Sequence, residues 1–314
     1  MVKTAVLMAT FNGQSFITDQ LDSIRQQTLA PDYVLIRDDG STDNTLETIE
    51  NYIKKHQLHN WKIIRNEKNL GWRLNFRQLL EDAKNLDVDY LFFSDQDDVW
   101  YLDKNEKQIS EMIANPDISV LSGDIDINVI STNASVPKQF QFEKTKVISI
   151  YPKILSYKTY RPGWTLCFKK SFSDTALKHW QSGDNISHDN LFSIAAAILG
   201  KAANLNTSVG IHRRYENNAS GNAKYIFNIK STKEKHIEGL YVFYRFYETV
   251  NNIYGDYNNK MDQNLKKTVS FYKNRYEVAK ANNTLKNLVF IFKNFYRYNN
   301  LSALLRDFIF SFKK

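Results

Sequence analysis

Four short apolar runs, each closed by a polar cluster and followed by a helical pattern, constrain this chain more than anything else in it. "TAVLMA" ends at "TFNG", "YVLIRDD" runs into "GSTDNT", "WKIIRN" leads to "NLG", and "VDYLFFS" stops at "DQDD". Between them, apolar residues recur at helical spacing: Ile17, Leu21 and Ile24, then Leu46, Ile49 and Ile53, then "WRLNFRQLLEDA". Ser41, Thr42 or Asp43 is available to cap the second of these helices. Strands alternating with helices of this length predict right-handed βαβ units and a parallel sheet covered on both faces. Such sheets hold ligands beyond the carboxyl ends of their strands. All four polar clusters fall there, so four loops are expected to converge on one crevice.

The cluster "SDQDD" places Asp95, Asp97 and Asp98 within four positions at a strand end. An isolated acidic turn of this kind would serve to cap the next helix, near Asp103. At a strand end opposite three other polar loops it suits a hard divalent cation. Mg²⁺ and Mn²⁺ prefer carboxylate oxygens, and Mg²⁺ is commonly held by one or two carboxylates plus substrate phosphates. Alternate residues of an extended segment point the same way, so Asp95 and Asp97 can face one site. Asp38 and Asp39 exceed what capping needs, and a carboxylate there can accept from a base imide or a ribose hydroxyl. The chain lacks G-x-G-x-x-G after its first strand and lacks G-x-x-x-x-G-K-[ST], so neither a dinucleotide fingerprint nor a P-loop supplies the nucleotide contacts.

Further on, "ISVLSGDIDIN" and "GWTLCFKK" read as strands and "SHDNLFSIAAAILG" as a helix entered from a polar turn. The chain changes character near Gly221. Residues 221–314 carry 17 Lys/Arg against 7 Asp/Glu, whereas residues 1–220 carry 25 against 27. A first domain at 1–220 and a basic, aromatic helical extension at 221–314 are expected, the second facing something anionic. Cys167 is alone, which excludes an internal disulfide.

Taken together, "ATFNG", "DDGSTDNT", "NLG" and "SDQDDVW" closely resemble the family 2 glycosyltransferases of the GT-A fold, over roughly residues 1–220. The "DQDDVW" form looks most like bacterial enzymes of cell-wall, capsular or exopolysaccharide synthesis, rhamnosyltransferases among them. The resemblance implies an α/β, Rossmann-like, mostly parallel sheet and inverting transfer from a UDP- or dTDP-linked sugar to a hydroxyl of a glycan or lipid-linked glycan. By position, Asp39 would contact the base, Asp95 the ribose or a metal-bound water, and Asp97 the metal, Mg²⁺ or Mn²⁺. Thr10 and Asn12 would line the nucleotide pocket, and the turn at Asn69 and Gly71 would close it.

Inversion needs a base opposite the leaving diphosphate, contributing ~10²–10⁴-fold. In the family this residue opens a helix, often within an acidic pair. Here "SHDNLF" supplies Asp189, with His188 in place of the first acid. The stretch "IHRRYENN" departs from the family's Y-R-Q-H-like pattern: Tyr215 stands at the histidine position and His212 three earlier. His212 is expected as a further metal ligand, with Tyr215 and Glu216 as rivals, while Arg213 and Arg214 would neutralise the diphosphate. Trp164 offers either a face for a sugar ring or a core side chain.

Leu301, Leu304, Leu305, Phe308 and Phe312 form one apolar stripe amid basic residues. The stripe suits an anionic membrane surface, and equally packing on the first domain or on a second copy in a homo-oligomer. "AVLMA" is too short for a signal-peptide core, and 18 consecutive apolar residues occur nowhere. The expectation is a cytoplasmic protein, peripheral at most on the inner face of the plasma membrane. Two rival classes remain. A nucleotidyltransferase would use the acidic metal ligands but would leave a lone base at Asp189 without work. Nucleic-acid binding through the basic part would leave the acidic crevice without purpose, so nucleic acid is not an expected partner.

Overall fold

Each of the four apolar runs forms a strand: β1 (Thr4–Thr10), β2 (Tyr33–Asp38), β3 (Trp61–Arg65) and β4 (Tyr90–Ser94). They pair in parallel in the order β3-β2-β1-β4. The connections are the helices α1 (Ile17–Arg25), α2 (Thr45–Lys55) and α3 (Trp72–Asp82). Ala5, Val6, Leu7 and Met8 of β1 are all buried. A central parallel strand is covered on both faces, so it needs a continuous apolar run rather than alternation. Val6, Met8, Val34, Ile36 and Phe92 join Ile17, Leu21 and Ile49 in one core.

This computed structural model describes residues 2–136, 138–155, 160–216, 218, 231–258, 262–298 and 300–313. Beyond β4 come β5 (Val99–Trp100), α4 (Lys104–Ala114), β6 (Val120–Val129), β7 (Ile148–Ile150), β8 (Cys167–Lys169), α5 (Lys170–His179), α6 (His188–Leu199) and β9 (Ala202–Arg214). The sheet continues β4-β8-β6-β9-β5, with β7 on β9. β8 runs antiparallel to β4 and to β6, while β9 is parallel to β6. β1, β2, β3, β4, β6 and β9 therefore point one way, giving the mostly parallel α/β sheet of the GT-A class. One sequence expectation differs. "GWTLCFKK" is not one strand: Gly163–Thr165 is a single 3₁₀ turn before the short β8. β9 is a 13-residue strand that ends in "IHRR".

The chain divides into two units, Met1–Asn222 and Ala223–Lys314. The expected change of character at Gly221 lies outside the described residues. The second unit contains α7 (Lys233–Asn258), α8 (Gln263–Lys280), α9 (Thr284–Asn294) and α10 (Leu301–Ser311). Asp262, Asn283 and Asn300 cap the last three, each accepting from the backbone N–H three residues on. The Arg275 guanidinium grips Asp307 at 2.6 and 2.9 Å, and the Tyr298 hydroxyl donates to the same carboxylate at 2.7 Å. Burial would raise the Asp307 carboxyl, but Arg275 and these partners outweigh it and hold it at about 2. Among the described residues, no helix is long and apolar enough to cross a membrane.

Candidate active site

At the carboxyl ends of β1 and β2, the two aspartates of "RDDGS" divide the work. Asp38 Oδ1 accepts from Ser41 N at 2.8 Å and Oδ2 from Thr10 Oγ1 at 3.1 Å, which closes the turn. Asp39 accepts from Leu70 N and Gly71 N, both at 2.8 Å, and from Asn66 Nδ2 at 2.7 Å. Asn69 adds a bond from its Nδ2 to Asp39 O at 3.1 Å. Gly71 holds φ at 80°, a region that side chains resist, and there presents its N–H to Asp39. Thr10 and Asp39, expected at the nucleotide, are both buried with these polar atoms engaged inside the protein. Asn12, also at φ 50°, accepts from Thr42 N at 2.9 Å and thereby ties the first loop to the second. Asn44, not one of the expected residues, is the N-cap of α2 and makes no side-chain cap bond, while Asp43 just before it accepts from Thr45 N at 3.0 Å. The loop system is thus preassembled around an open depression lined by Gly40, Arg65, Asn66, Glu67, Lys68 and Asn69.

The three aspartates after β4 have different surroundings. Asp98 is fully buried, and among the described residues its Oδ2 has no hydrogen-bond partner. Its Oδ1 lies 2.6 Å from His212 Nδ1. Burial, and then the Asp97 charge, push the Asp98 carboxyl well up. Burial, then Asp98 and Asp97, do the same to Asp95. Asp97 Oδ2 accepts from Tyr215 Oη at 2.6 Å and from Asn218 Nδ2 at 3.2 Å. Crowded, desolvated carboxylates with one orphaned oxygen are a donor set short of positive charge. They fit a hard divalent cation held by Asp95 and Asp97. Among the described residues, no three His, Cys, Asp or Glu side chains are grouped to hold a metal by themselves, so phosphate oxygens or water would have to complete the sphere.

His212 is corrected as a metal ligand. Its Nδ1 is spent on Asp98, and the Arg214 guanidinium stands 3.3 Å from Nε2, placing positive charge at the remaining lone pair. Burial and Arg214 lower the imidazole's affinity for a proton, so Nδ1–H donates and Nε2 accepts. The arginines are corrected too. Arg213 donates to Asp19 at 2.6 Å and lies over the Phe16 ring. Arg214 is fully buried and donates to Ser135 O at 2.8 Å. Strand periodicity explains the split: His212 and Arg214 are two apart on β9 and share its buried face, and Arg213 takes the other. Of the rivals in this stretch, Glu216 accepts from Asn133 at 2.6 Å, and Tyr215 is the one that meets the acidic cluster. Tyr215, Asn218 and Asp98 are the site residues that sequence reasoning undervalued. The signal for Asp98 was its place in the acidic cluster, and that for Tyr215 was that it fills a position where the family carries histidine.

Asp189 sits in the first turn of α6. The Ser187 hydroxyl and Asn190 N both donate to its Oδ1. Among the described residues Oδ2 has no hydrogen-bond partner. Its charge contributes, after burial and the nearer charges, to raising Asp95, so the two carboxylates lie within electrostatic reach of each other. His188 beside it is buried, both ring nitrogens lack hydrogen-bond partners among the described residues, and burial drives it down to about 4. It stacks on Phe76 at 3.8 Å and meets Phe93 edge-on at 4.6 Å. Trp164 is fully buried in the core and is no sugar platform.

Comparison with known proteins agrees with this fold. The dTDP-rhamnosyl transferase RfbG of Shigella flexneri is 39% identical over 112 residues, 34% of this chain and 37% of that protein. The matched stretches span from 37% to 49% of the lengths of three curated relatives. Among solved structures, Staphylococcus aureus TarS 1–349 in complex with UDP superposes with a TM-score of 0.58 at 16% identity, over 99% of this chain and 89% of that one. The mannosyltransferase PcManGT from Pyrobaculum calidifontis, in complex with GDP-Man and Mn²⁺, gives 0.52 at 14%, over 96% and 78%. The family model described as "Glycosyl transferase family 2" matches residues 5–174, more than half of the chain. With the strand order, the strand-end loops and the acidic cluster in the same span, the chain belongs to glycosyl transferase family 2.

Proposed function

We propose that this protein is an inverting glycosyltransferase of bacterial surface polysaccharide or glycoconjugate synthesis. It takes a sugar from a UDP- or dTDP-linked donor and places it on a hydroxyl of a glycan or lipid-linked glycan. The observation that supports the reading is that the Asp189 carboxylate, in the first turn of α6, acts electrostatically on Asp95 in the acidic run after β4. Asp189 takes the proton of the acceptor hydroxyl as that oxygen bonds to the anomeric carbon. The bond from that carbon to the diphosphate oxygen breaks on the opposite face, and its electron pair leaves with the diphosphate. Asp95 and Asp97 would hold Mg²⁺ or Mn²⁺, which supplies Lewis-acid stabilisation of the departing charge. RfbG by name uses a dTDP-sugar, and two structural neighbours hold UDP or GDP-Man with Mn²⁺, which supports a nucleotide-sugar donor and a divalent metal.

The test is a panel of nucleoside-diphosphate sugars assayed for released nucleoside diphosphate, with and without glycan acceptors. Turnover that requires Mn²⁺ or Mg²⁺, stops in EDTA and yields an inverted linkage is expected. Retention of configuration, or release of pyrophosphate from a sugar phosphate and a nucleoside triphosphate, would overturn the reading.

A further inference from the structure

Helices α9 and α10 pack against each other and run antiparallel, since Thr284 Oγ1 at the start of one donates to Ser311 O at the end of the other at 2.8 Å. Each turns one face inward, where Ile291 and Phe310 are buried. Each also carries a second apolar face that points out. Leu285, Val289, Phe292 and Tyr296 follow one another at steps of four, three and four, as do Leu301, Leu305, Phe308 and Phe312. These eight side chains are between 42% and 76% exposed, and Phe295 is exposed beside them. Scattered exposed hydrophobics are ordinary, but two adjoining stripes at helical spacing are not.

The charge around the stripes decides what covers them. Lys286, Lys293, Arg297, Arg306 and Lys313 lie on or beside these helices, against a single carboxylate, Asp307. Asp307 points inward to Arg275, His236 and Tyr298 and presents no negative charge to the outside. A second copy docking through this face in a two-fold dimer would set the same cations against each other with no carboxylate to answer them. An anionic bilayer answers both features, taking the aromatic stripe into the head-group boundary and pairing the cations with phosphates. We infer that the α9–α10 face, built on Phe292 and Phe308 and flanked by Lys286 and Lys293, docks on an anionic phospholipid surface. The helices lie in the interface and do not cross it.

The full-length protein is sedimented with vesicles of equal parts phosphatidylglycerol and phosphatidylcholine, and with pure phosphatidylcholine. It should pellet with the first and not the second, and binding should weaken about tenfold or more at high salt. The double variants Phe292→Ser/Phe308→Ser and Lys286→Glu/Lys293→Glu alter exposed positions, and circular dichroism checks their fold. Each should lose at least about tenfold in vesicle binding. Full-length protein that stays in the supernatant overturns the inference, as do variants that pellet like the original. So does a concentration-dependent dimer in analytical ultracentrifugation that Phe292→Ser/Phe308→Ser abolishes. No sugar donor enters the assay, so its outcome is independent of the transferase reading.

Discussion

The Tyr215 phenol donates to Asp97 Oδ2 at 2.6 Å, so the chain covers a strand-end carboxylate with one of its own side chains. The Tyr215 ring lies tilted against Phe16 at 4.9 Å, Arg213 lies over Phe16, and Asn218 reaches the same oxygen. The segment after β9 is thereby latched across the acidic cluster. A hydrogen bond to a charged group contributes about 1.5–3 kcal/mol net, and a cation arriving at this oxygen must displace it. Tyr215→Phe should therefore bind Mn²⁺ roughly tenfold more tightly in the presence of UDP, since 1.4 kcal/mol is a factor of ten. Titration followed by Mn²⁺ electron paramagnetic resonance reads this directly. Weaker binding would show that the Tyr215 oxygen helps hold the cation, and the latch would be wrong.

Asp189→Asn keeps an Oδ1 to accept from Ser187 and from Asn190 N, so the first turn of α6 stays in place. It cannot accept the acceptor's proton. Turnover should fall by about 10²–10⁴, the usual contribution of a general base, while donor affinity changes only a few-fold. Calorimetric titration with nucleotide beside steady-state rates separates the two quantities. A collapse of nucleotide binding would assign Asp189 to the donor pocket and leave the base to be found elsewhere.

How much of this was legible in the sequence follows from what each signal physically encodes. β1, β2 and β4 announce themselves because a strand buried on both faces must be apolar over most of its length, as Ala5–Met8 are. The placing of Asp39, Asp95 and Asp97 at one end of the sheet follows from the rule that loops at strand carboxyl ends converge. Orientation was not legible. Residue type alone does not say that Arg214 and His212 face inward while Arg213 turns to Asp19, because the buried face of β9 is set by pairing partners far away in sequence. The 3₁₀ turn at Gly163–Thr165 was hidden for the same reason, its apolar residues being dictated by burial and not by strand alternation.

Lys104 is fully buried, with Nζ 3.9 Å from the Trp100 ring centre and 4.5 Å from that of Phe92, and it donates to Gln108 Oε1 at 2.8 Å. Burial drives it down to about 7. The unfolded chain keeps an ordinary lysine, so between pH 7 and the usual lysine range the unfolded state binds more protons and stability rises with pH. The expected slope is on the order of 1 kcal/mol per pH unit. Lys104→Met keeps the stem over the rings and removes the proton. Thermal unfolding of both forms across that window should show the slope in the original and its loss in the variant; parallel curves would refute the assignment.

Gly163 and His188 test how Asp189, the proposed base, is held. A Cβ on Gly163 would lie 2.2 Å from His188 Nε2, and the imidazole cannot retreat because Phe76 stacks on it at 3.8 Å and Phe93 and Trp72 meet it edge-on. Gly163→Ala should therefore cost about 1–3 kcal/mol, the range for overpacking a filled core. It should also push on α6 next to Asp189, lowering turnover in the fraction that remains folded. His188→Ala removes the obstructing ring, so the double variant should recover part of the loss, with a coupling of about 0.5–3 kcal/mol expected for contacting residues. The ring sits neutral at about 4, so the folded state resists protonation that the unfolded state accepts near 6.5. Its stabilising contribution is complete above that value and is lost as pH falls toward 4. Chemical denaturation of the four members of the cycle, at neutral pH and near pH 5, checks both claims. Additive losses would mean that Gly163 is required for a reason other than His188, and the positioning of Asp189 through this contact would have to be abandoned.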